Sequence, residues 1–446
     1  MKKKIAILGF GQEGKAVLKF LCKNGANKNS EIAICDKNTK ISDLPHNEKN
    51  VSFRLGENYL KNLERFDVVF RSPGIPYNSV EIKKAVKAGI IISSATQLFF
   101  EKTEKISCKI IGVTGTKGKG TTATLLYKIL KACGRDVYLV GNIGKPAIEI
   151  LPKLKKNSVV VFELSSFQLQ DLKFSPKIAI ILDVFPDHLD AHKNFNEYLN
   201  AKINIAKFQR RKDKIFYFEN NKYSRWIVAK SHAKKIPVFI NGIKIFSQKD
   251  LKMPGAHNFK NALMAYKVAL LLGCNKEKTL KIIKGFKGNE HRLELVRKVV
   301  RHGSLHTGEI SFYNDSASTN PQTAAAAVKS FAGPKILIAG GKDKNLDYKP
   351  LAQALKNSNT KLVVLCGENK NKIREELERM NKELRIIETK NLKKAVEVAY
   401  DYAKKFIIHN SRFIILFSPA AASFDMFQNY KERGKKFKEI VKSLQK

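Results

Sequence analysis

The stretch VTGTKGKGTT, residues 113–122, decides how this chain is read. It follows an apolar run, KIIG, and precedes a segment of helical periodicity, so it is a glycine-rich turn from a strand into a helix. Gly115, Gly118 and Lys119 are the residue types that cradle a phosphate: backbone N–H groups at a helix start face the anion, and the lysine neutralises its outer oxygens. Thr116, Lys117, Thr121 and Thr122 complete the loop. The pattern departs from a strict GxxxxGK[ST] loop. Val113 stands at the first glycine, and Gly120 stands where a magnesium-binding hydroxyl is expected, which leaves Thr121 as the nearest hydroxyl.

Outward from this loop, strand-like apolar runs alternate with amphipathic segments along the whole chain: KIAILGF, IAICD, DVVFRS, DVYLVG, VVVFEL, IAIILDV, KILIAGG, KLVVLCG and FIILFSP. Such alternation predicts an α/β protein with mainly parallel sheets whose strands are buried on both faces, and sites in the loops after them. Three strands end in glycine turns, at Gly9, Gly115 and Gly340, and each opens its own run of α/β units. Three domains are therefore expected, over residues 1–95, 96–292 and 293–446: a Rossmann-like domain, a P-loop-type ATPase domain and a second Rossmann-like domain. The first turn is GFGQEG, with Gly9, Gly11 and Gly14, and Asp36 ends the next strand. Alone this is a dinucleotide fingerprint, or a tight turn with no ligand. A dehydrogenase has no use for the second phosphate loop, so the pair favours an ATP-driven reaction on a nucleotide-linked substrate. Glu163 in VFELSSFQL and His188 in DVFPDHLDAH follow buried strands and are placed to reach a cation held by the phosphates.

Composition narrows the class. A length of 446 residues is long for one core, and 43% hydrophobic with 28% charged residues is the balance of a soluble globular protein. Glycines interrupt the apolar stretch of MKKKIAILGFGQEGK before it could serve as a signal sequence, and no run is long enough to span a membrane. A soluble, cytoplasmic protein is expected, with no membrane partner. Cys22, Cys35, Cys108, Cys133, Cys274 and Cys366 form no CxxC pair, which argues against a zinc site or a disulfide framework. The net charge of +43 invites a nucleic-acid reading. Lysines are spread along the chain with no RNP-like motif, finger or basic zipper, so anionic small-molecule substrates and a lysine-rich proteome are the preferred explanation, with no nucleic-acid partner and a monomeric protein.

Taken together, GTKGKGTT, ELSSFQL, DHLDAH followed by AKINI, GAHNFKNALMA, EHRLE, NDSASTN and SPAAASFDMFQNYKERG occur in the order found in Mur ligases, and the resemblance spans essentially the whole chain. The last segment resembles the branch that adds D-glutamate to UDP-N-acetylmuramoyl-L-alanine in peptidoglycan synthesis. Another Mur ligase or a folylpolyglutamate synthetase is the alternative; the synthetases begin with their ATP domain, whereas this chain begins with GFGQEG.

The resemblance implies an ATP-dependent, amide-forming ligase that works through an acyl phosphate. It implies a UDP site at Gly9, Gly11, Gly14, Asp36, Lys37 and Ser72, with Asn142 meeting the muramoyl part. ATP would lie on Gly115 to Thr122, with Asn258 and Asn261 on the adenine side, Asp315 on the ribose and Arg292 on the γ-phosphate. Two magnesium ions would be held by Thr121, Glu163, His188 and Lys202, the last as a carbamate formed with CO2. D-glutamate would be held by Thr319, Lys344, Ser423 and Tyr430, and the groups nearest the chemistry would be Lys119, His188, Lys202, Arg292 and Lys344. One departure stands out: the family's DSKATN has a lysine where this chain has Ala317.

Overall fold

A computed structural model describes residues 2–23, 25, 29–41, 50–187, 191–242, 245–302, 307–406 and 412–445. His188 lies outside the described residues. The strands assemble into three sheets. The first contains β1 (Lys3–Leu8), β2 (Ser30–Asp36), β3 (Val51–Leu55), β4 (Val68–Arg71) and β5 (Ile91–Ser93), all parallel, in the order β3-β2-β1-β4-β5. The second contains β6 (Lys109–Thr114), β7 (Val137–Gly141), β8 (Val159–Glu163), β9 (Ile178–Ile181), β10 (Lys214–Phe218) and β11 (Lys234–Val238), again all parallel, in the order β11-β10-β9-β6-β8-β7. The third contains β12 (Glu294–His302), β13 (Thr307–Asn314), β14 (Lys335–Ala339), β15 (Thr360–Leu365), β16 (Ile386–Glu388) and β17 (Arg412–Phe417), in the order β12-β13-β17-β14-β15-β16. Only the β12/β13 pair among these is antiparallel.

The inner strands VVFR, VVVFE and IAII are buried along their whole length, as parallel strands covered on both faces must be. The edge strands differ. β3 and β11 carry exposed polar and basic residues, which discourages pairing with another chain.

The chain forms two compact units, residues 1–245 with 260–283, and residues 246–259 with 284–446. In the first unit one apolar core serves two sheets, running from Ile5 and Ile7 through Phe99 and Phe100 to Phe162 and Ile181. The helix Ala95–Ile106 makes this junction: its N-cap Ser94 accepts a hydrogen bond from Gln97 N at 3.1 Å, and its Phe99 and Phe100 rings lie 5.6 and 6.0 Å from Phe162. Aromatic pairs of this kind add about 0.5–1.5 kcal/mol each beyond the area they bury. The first two sheets are thus packed around a shared core, so the loops at their carboxyl ends are held in a fixed relation. All six cysteines are free thiols, and no described helix is long and apolar enough to cross a membrane.

Candidate active site

The phosphate-type loop joins β6, at the middle of the second sheet, to the helix Lys119–Ala132. Gly115 and Gly118 take φ of 150° and 85°, and Gly118 is the N-cap of that helix. A β-carbon on Gly118 would sit on Asn261 Oδ1 and 2.9 Å from Asn261 Cγ, so the asparagine nominated for the adenine side packs directly on the loop. Thr116 anchors the loop: its N–H donates to Asp183 O at 2.9 Å, its hydroxyl donates to Phe185 O at 2.9 Å, and that hydroxyl lies 2.9 Å from Tyr198 OH. Lys119 Nζ donates to Gly115 O and Thr116 O at 3.1 and 3.0 Å, which keeps its ammonium against the loop where phosphates would arrive. Thr121 is partly exposed in the first helical turn, whereas Thr122 is buried.

Lys202 enters the same region from the helix Phe195–Lys207. It is 1% exposed, its Nζ donates to Gly115 O at 3.0 Å and to Thr114 Oγ1 at 3.4 Å, and it lies 4.6 Å from the Tyr198 ring centre. Burial pushes this amine well below the usual lysine range and Lys119 adds to the push, while Asp187 and Glu163 oppose it. Glu163, the last residue of β8, is 5% exposed. A carboxylate and a lysine amine are thereby gathered at the phosphate loop.

Lys119 and Lys202 open into a cavity of about 390 Å³ in the first unit. Lys119, Asn142 and Lys202 line it beside Ser165, Ser166, Phe167 and Gln170 of the second sheet and Pro73, Pro76, Tyr77 and Asn78 of the first. Sequence reasoning missed several residues that line this cavity or pack against its walls. His192 is buried, its Nε2 lies 3.0 Å from Ser166 Oγ, and its ring stacks on Phe167 at 4.9 Å. Tyr198 lines the cavity one helical turn before Lys202, and that i, i+4 spacing was the available signal.

In the first sheet, the loop after β1 and the loop after β4 meet where the strand order reverses, the position at which α/β sheets bind ligands. Gly9 has φ of 83°, and Ser72 Oγ donates to Gly9 O at 2.8 Å. A β-carbon on Gly14 would strike Gly9 O and lie 3.2 Å from Gly9 C, so the third glycine permits close packing of helix and strand. Asp36 Oδ2 accepts from Phe10 N at 2.7 Å, and thus shapes the loop it was expected to assist. Gly11 begins the turn into the helix and Lys37 is exposed.

In the second unit Asp315, Thr319, Lys344 and Ser423 fall on the loops after the adjacent strands β13, β14 and β17 of the third sheet, while Arg292 precedes β12, Asn258 lies in the helix Ala256–Leu271 and Tyr430 opens the helix Tyr430–Ser443. Asp315 accepts from Leu293 N at 3.2 Å and from Ser418 Oγ at 2.8 Å, and burial raises its carboxyl to about 7. Arg292 is exposed, and Asn258 Nδ2 donates to Pro254 O at 2.7 Å. Thr319 is partly exposed, Ser423 is buried, and Lys344 Nζ lies 5.5 Å from the ring centre of exposed Phe424. Arg433, 1% exposed, ties two of these loops together through Ser316 O at 3.0 Å, Ala421 O at 2.9 Å and Ala422 O at 3.0 Å, while Tyr430 O accepts from Ser316 Oγ at 2.8 Å. Ala317 N donates to His291 O at 3.0 Å.

Family models match each part of the chain: a MurD-like N-terminal domain of Mur ligases over residues 3–94, the Mur ligase middle domain over 113–251, and the Mur ligase glutamate ligase domain over 291–415. The chain belongs to the Mur ligase family. It is 36% identical over 475 residues to the UDP-N-acetylmuramoylalanine–D-glutamate ligase of Acetivibrio thermocellus, covering 99% of this chain and 97% of that protein. Identity to the ligase of the same name from Clostridium acetobutylicum is 37% over 472 residues, with the same coverage. Among solved structures, the UDP-N-acetylmuramate-alanine ligase MurC of Thermotoga maritima aligns with a TM-score of 0.58 at 18% identity over 99% of both chains, a likeness of fold. The three sheets of this Mur ligase are the arrangement that likeness reflects.

Proposed function

We propose that this Mur ligase uses ATP to join D-glutamate to UDP-N-acetylmuramoyl-L-alanine, a step of peptidoglycan precursor synthesis, and that its domains divide near residues 95 and 293. The observation that carries the reading is the cavity into which Lys119 and Lys202 of the phosphate loop region and the 73–78 loop of the first sheet all open, because it lets a nucleotide-linked acceptor meet the phosphates of ATP. Relatives of the same name along the full length support the choice of substrates.

A free carboxylate is a poor acyl donor. In this reading the alanyl carboxylate attacks the γ-phosphate of ATP, giving an acyl phosphate and ADP, and the amine of D-glutamate then displaces phosphate to form the amide. The reacting groups are mostly anions, so the protein's task is to align and neutralise them. Lys119 and the amides of residues 115–120 would hold the phosphates, Arg292 would reach the γ-phosphate, and Asp315 would accept from the ribose hydroxyls. Asn258 and Asn261 would take the adenine side. Gly9, Gly11, Gly14, Asp36, Lys37 and Ser72 would form the UDP site, with Asn142 at the muramoyl end.

Magnesium would suit Glu163 and Thr121 together with a carbamate on Lys202, with His188 as a further ligand, and it would supply charge neutralisation at the phosphates. Carbamylation is supported by the setting of Lys202: a buried amine held against a carbonyl is more easily carried as a neutral nucleophile for CO2 than as an unpaired ammonium. Thr319, Lys344, Ser423 and Tyr430 would bind the two carboxylates of D-glutamate. The enzyme would act as a cytoplasmic monomer on small anions.

The test is phosphate release from ATP with UDP-N-acetylmuramoyl-L-alanine and a panel of amino acids. D-glutamate is expected to give the fastest release. Faster product formation with L-lysine or diaminopimelate would overturn the amino-acid assignment, and no release with any of them would overturn the ligase reading.

A further inference from the structure

The reaction scheme leaves the buried cation Arg71 unused. Arg71 ends β4 and is 2% exposed, a place where a guanidinium is costly unless its N–H groups are answered. They are answered from two sides. Nη1 donates to Ile75 O in its own loop at 2.8 Å, while Nε donates to Asp171 Oδ2 and Nη2 to Phe167 O, both at 2.8 Å, on the second sheet's segment after β8. The guanidinium also lies 5.5 Å from the ring centre of Tyr77.

A second link runs beside it. Glu13, in the helix after β1, accepts from Gln168 Nε2 at 2.8 Å, and Gln168 in turn accepts from Ser165 N at 3.1 Å in a capping box. The short turn Ser166–Leu169 is thus gripped by two side chains of the first sheet. What Arg71 joins are the two walls of one cavity: Tyr77 on its own loop and Phe167 on the opposite turn both line it.

We propose that Arg71 is a positioning residue for the UDP-linked substrate: it fixes the separation and orientation of the cavity walls that receive this substrate, and so sets affinity for it without touching ATP. The inference rests on the ligase reading above. The requirement is for a planar fork with donors in several directions, which lysine's single ammonium cannot reproduce. Asp171 Oδ1 is buried with no hydrogen-bond partner among the described residues, so Asp171 depends on Arg71 for its one charged contact.

The experiment compares the full-length parent with Arg71→Lys and Arg71→Ala, each checked for folding by thermal melting. In Arg71→Lys the KM for UDP-N-acetylmuramoyl-L-alanine should rise about tenfold, the scale of losing one or two charged hydrogen bonds, while the KM for ATP stays within twofold. Millimolar guanidinium should bring the acceptor KM of Arg71→Ala back toward the parent value. An unchanged acceptor KM, or an equal rise in both KM values, overturns the proposal, because a merely structural loss does not choose between substrates. If neither variant folds, Asp171→Asn carries the test, with a rise in acceptor KM expected and no rise overturning it. A parent that shows no turnover with this acceptor refutes the ligase reading, which is a different outcome from an active parent whose variants keep its KM.

Discussion

Replacing Gly118 by alanine tests whether the phosphate loop depends on the backbone shape seen here. Gly118 has φ of 85°, and a left-handed conformation costs an alanine roughly 1–2 kcal/mol. Its new β-carbon would fall on Asn261 Oδ1 and lie 2.9 Å from Cγ and 3.0 Å from Nδ2, so the asparagine or the loop must shift. Overpacking of that kind costs about 1–3 kcal/mol. If both terms are borne by the ATP-binding arrangement, the loss is about 2–5 kcal/mol, a fall of roughly thirtyfold to several thousandfold in kcat/KM for ATP. The measurement is steady-state turnover at saturating co-substrates, with melting curves to show that the fold survives. Asn261→Ala removes the atoms that the methyl strikes, so the double variant should lose about 1–3 kcal/mol less than the two single losses added together. A Gly118→Ala enzyme at the parent level, or a double variant in which the losses simply add, would refute the account of this contact.

Four further outcomes follow from the same site. Lys119→Ala should abolish ATP turnover with the melting temperature little changed; near-normal turnover would remove the loop from the mechanism. Lys202→Ala should be severely impaired and partly rescued by short carboxylic acids that stand in for a carbamate, and a fully active variant would end that idea. Thr121→Val should weaken the magnesium dependence more than Gly120→Ser does, a ranking that equal magnesium titrations of Thr121→Val and the parent would sink. Asp315 is raised by burial from 3.8 to about 7, so between those values the folded protein holds a proton that the unfolded chain has lost. Folding takes up that proton, and stability therefore falls as pH rises from about 4 to about 7, by on the order of 4 kcal/mol, and is level above. Asp315→Asn should flatten this part of the profile in pH-dependent denaturant melts, and an unchanged slope would contradict the assignment.

How much of this was legible in the sequence depended on burial. The runs read as strands, such as VVVFEL and IAIILDV, are those covered on both faces, where every position must be apolar. The strands left unread are mostly edges or their neighbours. VSFRL and KKIPV carry the basic and polar residues that keep an edge from pairing, and ELVRKVVRH in the antiparallel pair breaks its apolar pairs with charged ones, so none of the three shows a continuous run. Glycine turns left clear signals because the left-handed backbone at Gly9 and Gly118 restricts the residue type. Lys202 was different. Among 83 lysines and arginines nothing in its own letter marks it as buried, and its placement against Gly115 comes from the packing of a helix begun some eighty residues later.

The contacts that join loop to loop were the least legible, and for a geometric reason. Periodicity and capping link residues a few positions apart, whereas Arg71 meets Asp171 across 100 positions and Glu13 meets Gln168 across 155. A buried arginine looks in sequence like any other arginine, and in a chain of net charge +43 it is hidden among many solvated ones. What distinguishes it is that both partners sit on strand-end loops of sheets sharing one core, and that sharing rests on Phe99 and Phe100, which the sequence presents only as two more apolar positions of an ordinary helix. The chemistry of the site could therefore be read from its loops, while the spacing between its walls could be read only once the core that fixes it was in view.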